Sequence, residues 1–70
     1  MDAGDLSGRH IGSRISFGHR FPMSDVRATI TGELREIHHD ASGVTVWLVG
    51  DNPQGGEKTE FVLSPETEIR

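Results

Sequence analysis

The stretch from Thr29 to Val49 constrains this chain most, because it reads as two strands folded back on each other through one polar turn, the first strand alternating with the period of two of a half-buried strand. Val26, Ala28 and Ile30 alternate with Arg27 and Thr29, and Gly32 and Leu34 keep the phase. The next apolar residue is Ile37, where the alternation would require position 36, which is Glu36. A slip of one residue would turn the rest of the strand inside out. The spacing therefore predicts a β-bulge near Arg35 and Glu36, with Gly32 supplying a bend. Asp40-Ala41-Ser42-Gly43 reads as the turn, and Val44 to Val49 as the returning strand.

That returning strand is apolar on both sides, so its next partner decides which side is inside. Laying it antiparallel against Lys58 to Leu63 sets Leu48 opposite Thr59, Val46 opposite Phe61 and Val44 opposite Leu63. The other face then carries Val49 against Lys58, Trp47 against Glu60 and Thr45 against Val62. Shifting the register by one would drive Glu60 against Val46, so the first alignment is expected, with Phe61 in the interior.

The remaining segments are short. Met1 to Asp5 is read as a disordered polar lead, and residues 6–70 as one small domain. Asp5 to Gly12 is too broken by glycine for a stable helix and is expected to form a turn or a single helical turn. Ser13 to Phe17 alternates as a strand. Gly18 to Asp25 is expected as a loop around Phe21-Pro22, and Asp51 to Gly56 as a wide polar turn. Ser64-Pro65-Glu66 makes a corner, and Thr67 to Arg70 a last short strand anchored by Ile69. The expected fold is all-β: a small five-stranded antiparallel barrel with a short N-terminal turn.

A 70-residue chain without cysteine has a thin core and neither a disulfide nor a thiolate metal site to support it. Self-association is then a natural source of further stability. No apolar run is long enough for a membrane span or signal peptide, and a reducing cytoplasm suits the lack of cysteine. The net charge is −4 but uneven. Residues 9–20 carry Arg9, His10, Arg14, His19 and Arg20 and no acid, whereas residues 28–70 carry eight acids against Arg35, Lys58 and Arg70.

Ile15 and Phe17, then Thr31-Gly32-Glu33-Leu34 and Ile37, then Asp40, then Val46-Trp47-Leu48 resemble the first signature of Sm-like proteins over residues 11–63. The resemblance implies a small barrel and ring-like assembly. It does not imply the family's RNA site. Ala41, Ser42, Gly43 and Val44 follow Asp40 where an asparagine would contact bases, and Phe61-Val62-Leu63-Ser64 replaces the arginine-glycine pair. The Leu6 to Gly12 opening ahead of such a barrel also resembles small accessory proteins of actinobacterial bacteriophages, which implies a host-cytoplasmic location.

His38-His39-Asp40 is the one cluster suggestive of metal or acid–base chemistry, but adjacent strand residues face opposite ways and no third ligand is evident. It is read as a solvated strand end with Asp40 bonding the turn. No nucleophile elbow or phosphate loop is present, so no enzyme activity, metal or cofactor is expected. Two surfaces remain. Trp47, Val49 and Val62 form an outward apolar face suited to binding a protein partner or a second copy, unless Leu6 and Ile11 cover it. Arg9, His10, Arg14, His19 and Arg20 form the alternative, a nucleic-acid-binding face with Phe17 or Phe21 as a stacking platform.

Overall fold

The computed structural model describes residues 1–51 and 56–70. Two single 3-10 turns, Ala3–Asp5 and Gly8–His10, precede four strands: β1 (Arg14–Phe21), β2 (Val26–Asp40), β3 (Gly43–Val49) and β4 (Thr59–Leu63). The strands form one antiparallel sheet in chain order that curls into a half-barrel. The expected wide turn after β3 falls, for residues 52–55, outside the described residues.

β2 carries the curl because it serves two partners. Its first part pairs with β1, from Val26 opposite Phe21 to Glu33 opposite Arg14, and its second part pairs with β3. The bulge lies where the apolar phase predicts it: Leu34 faces Leu48, Glu36 faces Trp47, and Arg35 is the extra residue. Gly32 sits at the bend. A Cβ there would lie 2.9 Å from the Val49 carbonyl oxygen and 3.1 Å from the Leu48 Cβ, so the crossing is close because this residue has no side chain.

The β3–β4 register is the expected one from Leu48 opposite Thr59 to Val44 opposite Leu63. Lys58 lies just before this ladder and pairs with Glu36 instead. Val44, Val46, Leu48 and Leu63 are buried with Ile15, Phe17 and Leu34. Phe61 is only partly buried, packing edge-on against Phe17 with ring centroids 5.6 Å apart, and Thr59 is exposed. The centre of the core is therefore Phe17, and Phe61 closes its rim.

Three expectations about the ends and the first loop are corrected. β1 does not stop at Phe17 but continues through Gly18, His19 and Arg20 to Phe21, because each of these residues finds a ladder partner on β2. The turn shrinks to Pro22–Asp25. The Phe21 carbonyl accepts hydrogen bonds from the Asp25 and Ser24 amides at 2.8 and 3.3 Å, and Asp25 takes the left-handed conformation at φ 59° that lets the hairpin close.

Met1 to Asp5, expected to be disordered, is tied down. Ala3 is fully buried, its amide donates to the Thr67 carbonyl at 2.8 Å, and the Met1 carbonyl accepts from the Ile69 amide. Thr67 to Arg70 forms no ladder of its own. Arg70 instead exchanges both backbone hydrogen bonds with Ser16 of β1, at 2.8 and 3.0 Å, while residues 1–3 cover the other side of this segment. These short pairings carry Ala3, Leu6 and Ile69 into the core.

Phe17→Ala should cost about 3–5 kcal/mol, enough to unfold a domain of this size, whereas Phe61→Ala should cost about half as much. Gly32→Val should cost about 1–3 kcal/mol by forcing β2 away from β3. Urea denaturation followed by Trp47 fluorescence ranks the three. Equal losses at Phe17 and Phe61 would place both rings equally deep.

Candidate functional site

β3 divides its side chains between the two faces of the sheet. Val44, Val46 and Leu48 turn inward, and Thr45, Trp47 and Val49 turn outward, where they remain half-buried. Cross-strand pairing sets Trp47 between Glu36 on β2 and Glu60 on β4, and Thr45 between His38 and Val62. Val62 is 60% exposed. The face is thus an apolar strip, Val49, Trp47 and Val62, bordered by carboxylates. Lys58 pairs with Glu36, and Arg35 reaches Glu33 at 2.7 Å. Leu6, the alternative cover for Trp47, is instead buried in the core cluster, and Ile11 remains 48% exposed.

The basic segment is spread over the second 3-10 turn and the two faces of β1. Arg9 and His10 lie on the second 3-10 turn, where the His10 Nδ1 accepts the Ser7 amide at 2.9 Å. Arg14 and Arg20 project from the outer face of β1, and His19 from the inner face. Arg14 donates both terminal nitrogens to Asp51, at 2.7 and 3.0 Å. This contact holds the Asp51 carboxyl below, and the Arg14 guanidinium above, their ordinary values. Arg20 lies 3.4 Å from Asp25. The His19 ring stands edge-on to Phe21 and Phe61, with centroids at 4.8 and 5.3 Å, so it extends the aromatic core rather than a phosphate-binding face.

Residues outside the basic segment complete the picture at the β1–β2 end. Arg27 faces Arg20 across the ladder, and the two, with Gly18, line an open cavity of about 360 Å³. On the opposite side of the same hairpin Phe21 pairs with Val26, both exposed, and Met23 at the tip is 99% exposed. Arg27 lies beyond the acid-free run, and a hairpin register running through Gly18 is what would have placed it beside Arg20. A second cavity, of about 210 Å³, opens between Ile30 and Thr31 on the bend of β2 and Leu48, Val49 and Phe61.

His38-His39-Asp40 is divided among separate tasks. His39 donates from Nε2 to the Leu6 carbonyl at 2.8 Å and so ties β2 to the N-terminal segment. His38 lies 3.5 Å from Asp40. Asp40 Oδ1 accepts the Ser42 hydroxyl at 2.6 Å and the Ser42 and Gly43 amides at 2.8 and 3.1 Å. The Ser42 hydroxyl, followed by its amide, lowers the Asp40 carboxyl below the usual carboxylate range. Among the described residues no three histidine or acidic side chains are grouped to hold a metal, and no helix is long and apolar enough to cross a membrane. No family profile, curated protein or solved structure matches this chain.

The Asp40 turn has a pH signature. A carboxyl lowered in the folded state contributes stability that is complete above its unfolded pKa and lost as pH falls through the folded value. Asp51 and Glu66 are lowered as well, by Arg14 and by the Ser64 hydroxyl. The melting temperature should therefore fall on acidification below about pH 4. Asp40→Asn should flatten that acid limb and lower the melting temperature at neutral pH. An acid limb parallel to that of the parent would show that Asp40 contributes nothing to it.

Proposed function

We propose that this chain is a non-enzymatic interaction module, a small β-barrel that binds copies of itself or a protein partner through its sheet edges and its Trp47 face. The observation that carries this reading is the outward strip in which exposed Val62 lies beside half-buried Trp47. Apolar surface held outward on a domain whose core is already thin is stabilised most by covering it with another chain. In this reading residues 67–70 act as a reduced fifth strand, a role supported by the paired hydrogen bonds of Arg70 to Ser16. The resemblance to Sm-like barrels and to small accessory proteins of phages favours assembly in a host cytoplasm.

Nucleic-acid binding is the second reading, favoured by the cavity between Arg20 and Arg27. Against it stand the engagement of Arg14 by Asp51, the turning of His19 into the aromatic cluster, and the net charge of −4. Affinity for phosphates rests on free positive charge, and here the carboxylates Asp25 and Asp51 sit beside two of the arginines.

Light scattering and sedimentation at rising concentration test the first reading. The parent should form particles larger than one chain, and Trp47→Glu should give smaller ones that keep a β-type circular dichroism spectrum. A parent that stays monomeric at high micromolar concentration would remove the self-binding reading. Retention on a DNA or RNA column that falls steeply with salt and is lost on replacing Arg9, Arg14 and Arg20 by Gln would establish the second reading instead.

A further inference from the structure

We infer that the tip of the β1–β2 hairpin is a peripheral membrane contact, at which Met23, Phe21 and Val26 enter the hydrocarbon border of an anionic bilayer while Arg20 and Arg27 meet its lipid phosphates. The surface is separate from the Trp47 strip, and the inference goes beyond the self-binding reading.

The ribbon leaves the core as it approaches its turn. The rung of Phe17 and Ile30 packs into the interior, with Phe17 fully buried, whereas the last rung, Phe21 opposite Val26, leaves its side chains 41% and 55% exposed. Met23 in the turn is 99% exposed. Three large apolar side chains thus gather where folding gives them no cover, and such a cluster on a small domain marks a contact surface.

The polar groups of the turn are folded back on it. The Ser24 and Asp25 amides donate to the Phe21 carbonyl at 3.3 and 2.8 Å, the Val26 amide donates to the Ser24 hydroxyl at 3.4 Å, and Pro22 has no amide to satisfy. The Asp25 carboxylate leans on Arg20 at 3.4 Å. A segment that enters an apolar medium needs its backbone groups bonded internally, because each one left open is costly there. Met23 is the side chain left to lead.

Arg20 faces Arg27 on the next rung, about 3.4 Å further from the tip than Phe21 and Val26. At that depth long guanidinium side chains reach headgroup level while their stems lie along apolar surface. Along the hairpin the order is apolar tip, then cations; along the normal of a bilayer it is hydrocarbon, then phosphate. That correspondence selects the occupant. An open cavity of about 360 Å³, lined by Gly18, His19, Arg20, Arg27 and Ala28, leaves room for a phosphate at the arginine rung. Arg27 forms no ion pair among the described residues.

The like-charge rung disfavours two other occupants. A second copy docked tip to tip about a two-fold axis would bring four arginines together. A nucleic acid offers phosphates without hydrocarbon, and two cations, one of them shared with Asp25, are too few to hold it by charge alone. The net charge of −4 does not forbid the approach. Along the ribbon the next carboxylate beyond Asp25 is Glu33, opposite Arg14 and on the order of 20 Å from the arginine rung, beyond the screening length at physiological salt.

The test is co-sedimentation of the full chain with vesicles of phosphatidylcholine alone and of phosphatidylcholine mixed with phosphatidylglycerol. The parent should bind the mixed vesicles and far less of it the neutral ones. Arg27→Gln should lower binding to the mixed vesicles about fivefold at low salt, a difference that shrinks as salt rises. Met23→Ser should lower it about tenfold whatever the salt. Both side chains are exposed, so the fold should persist, as circular dichroism would check. Met23→Trp in a Trp47→Phe background should give emission that shifts to the blue on the mixed vesicles and is quenched by lipids brominated in their acyl chains.

A parent that stays in solution with both kinds of vesicle would overturn the inference. Equal binding of the parent and Met23→Ser, with no blue shift from an indole at position 23, would reduce the contact to adsorption by charge and overturn it as well. Displacement of the parent from the mixed vesicles by glycerol phosphate would assign the arginine cavity to a soluble phosphate instead. Smaller particles of Met23→Ser in the absence of lipid, with vesicle binding unchanged, would assign the tip to a contact between copies.

Discussion

The structure depends on one close approach, the crossing of β2 over the end of β3 at Gly32. A single strand can belong to two halves of a curled sheet only if it bends sharply, and a bend brings its backbone within reach of the strand it crosses. With 2.9 Å between a notional Cβ and the Val49 carbonyl oxygen, any side chain at this position would push the halves apart. The bulge at Arg35 completes the turn by restoring the inward phase after the bend, so Leu34 and Ile37 both face the interior although they are three positions apart. Phe17 is sealed because these two devices bring β4 and its Phe61 back over β1.

A core assembled this way is small, and the two ends of the chain enlarge it. Ala3, Leu6 and Ile69 are buried through a few backbone hydrogen bonds, between residues 1–4 and 65–69 and between Arg70 and Ser16. His39 adds a further tie through the Leu6 carbonyl. The arrangement has a consequence for assembly. The C-terminal segment is covered on both sides, by residues 1–3 and by β1, and in turn lies along the β1 edge beside Ser16 and Phe17.

The parts of the fold legible in the sequence are those governed by the period of two. The bulge could be read because Ile37 breaks phase with Leu34, the β3–β4 register because a shift by one would drive Glu60 against Val46, and the turn because Asp40 precedes small residues. Gly18 and Pro22 misled, since a glycine next to an aromatic-proline pair looks like a loop. Here Gly18 has a partner in Thr29, and only Pro22–Asp25 leave the ladder. The ends were illegible for a different reason: Met1 to Asp5 has no alternation, and Ala3 is buried by pairing with a segment more than sixty residues away. The candidate site was half legible. Trp47 and Val62 were placed outward by register alone, but the basic run was read along the chain, and a ribbon sorts such a run onto two faces.

That sorting bears on the two proposed readings. Clustered in sequence, Arg9, Arg14 and Arg20 look like a track for phosphates. Folded, Arg14 is neutralised by Asp51, and Arg20 is left facing Arg27 at the sheet edge with only exposed Asp25 nearby. A pair of cations with a carboxylate already beside one of them is a poor footprint for a polyanion, whose affinity grows with the number of phosphates contacted.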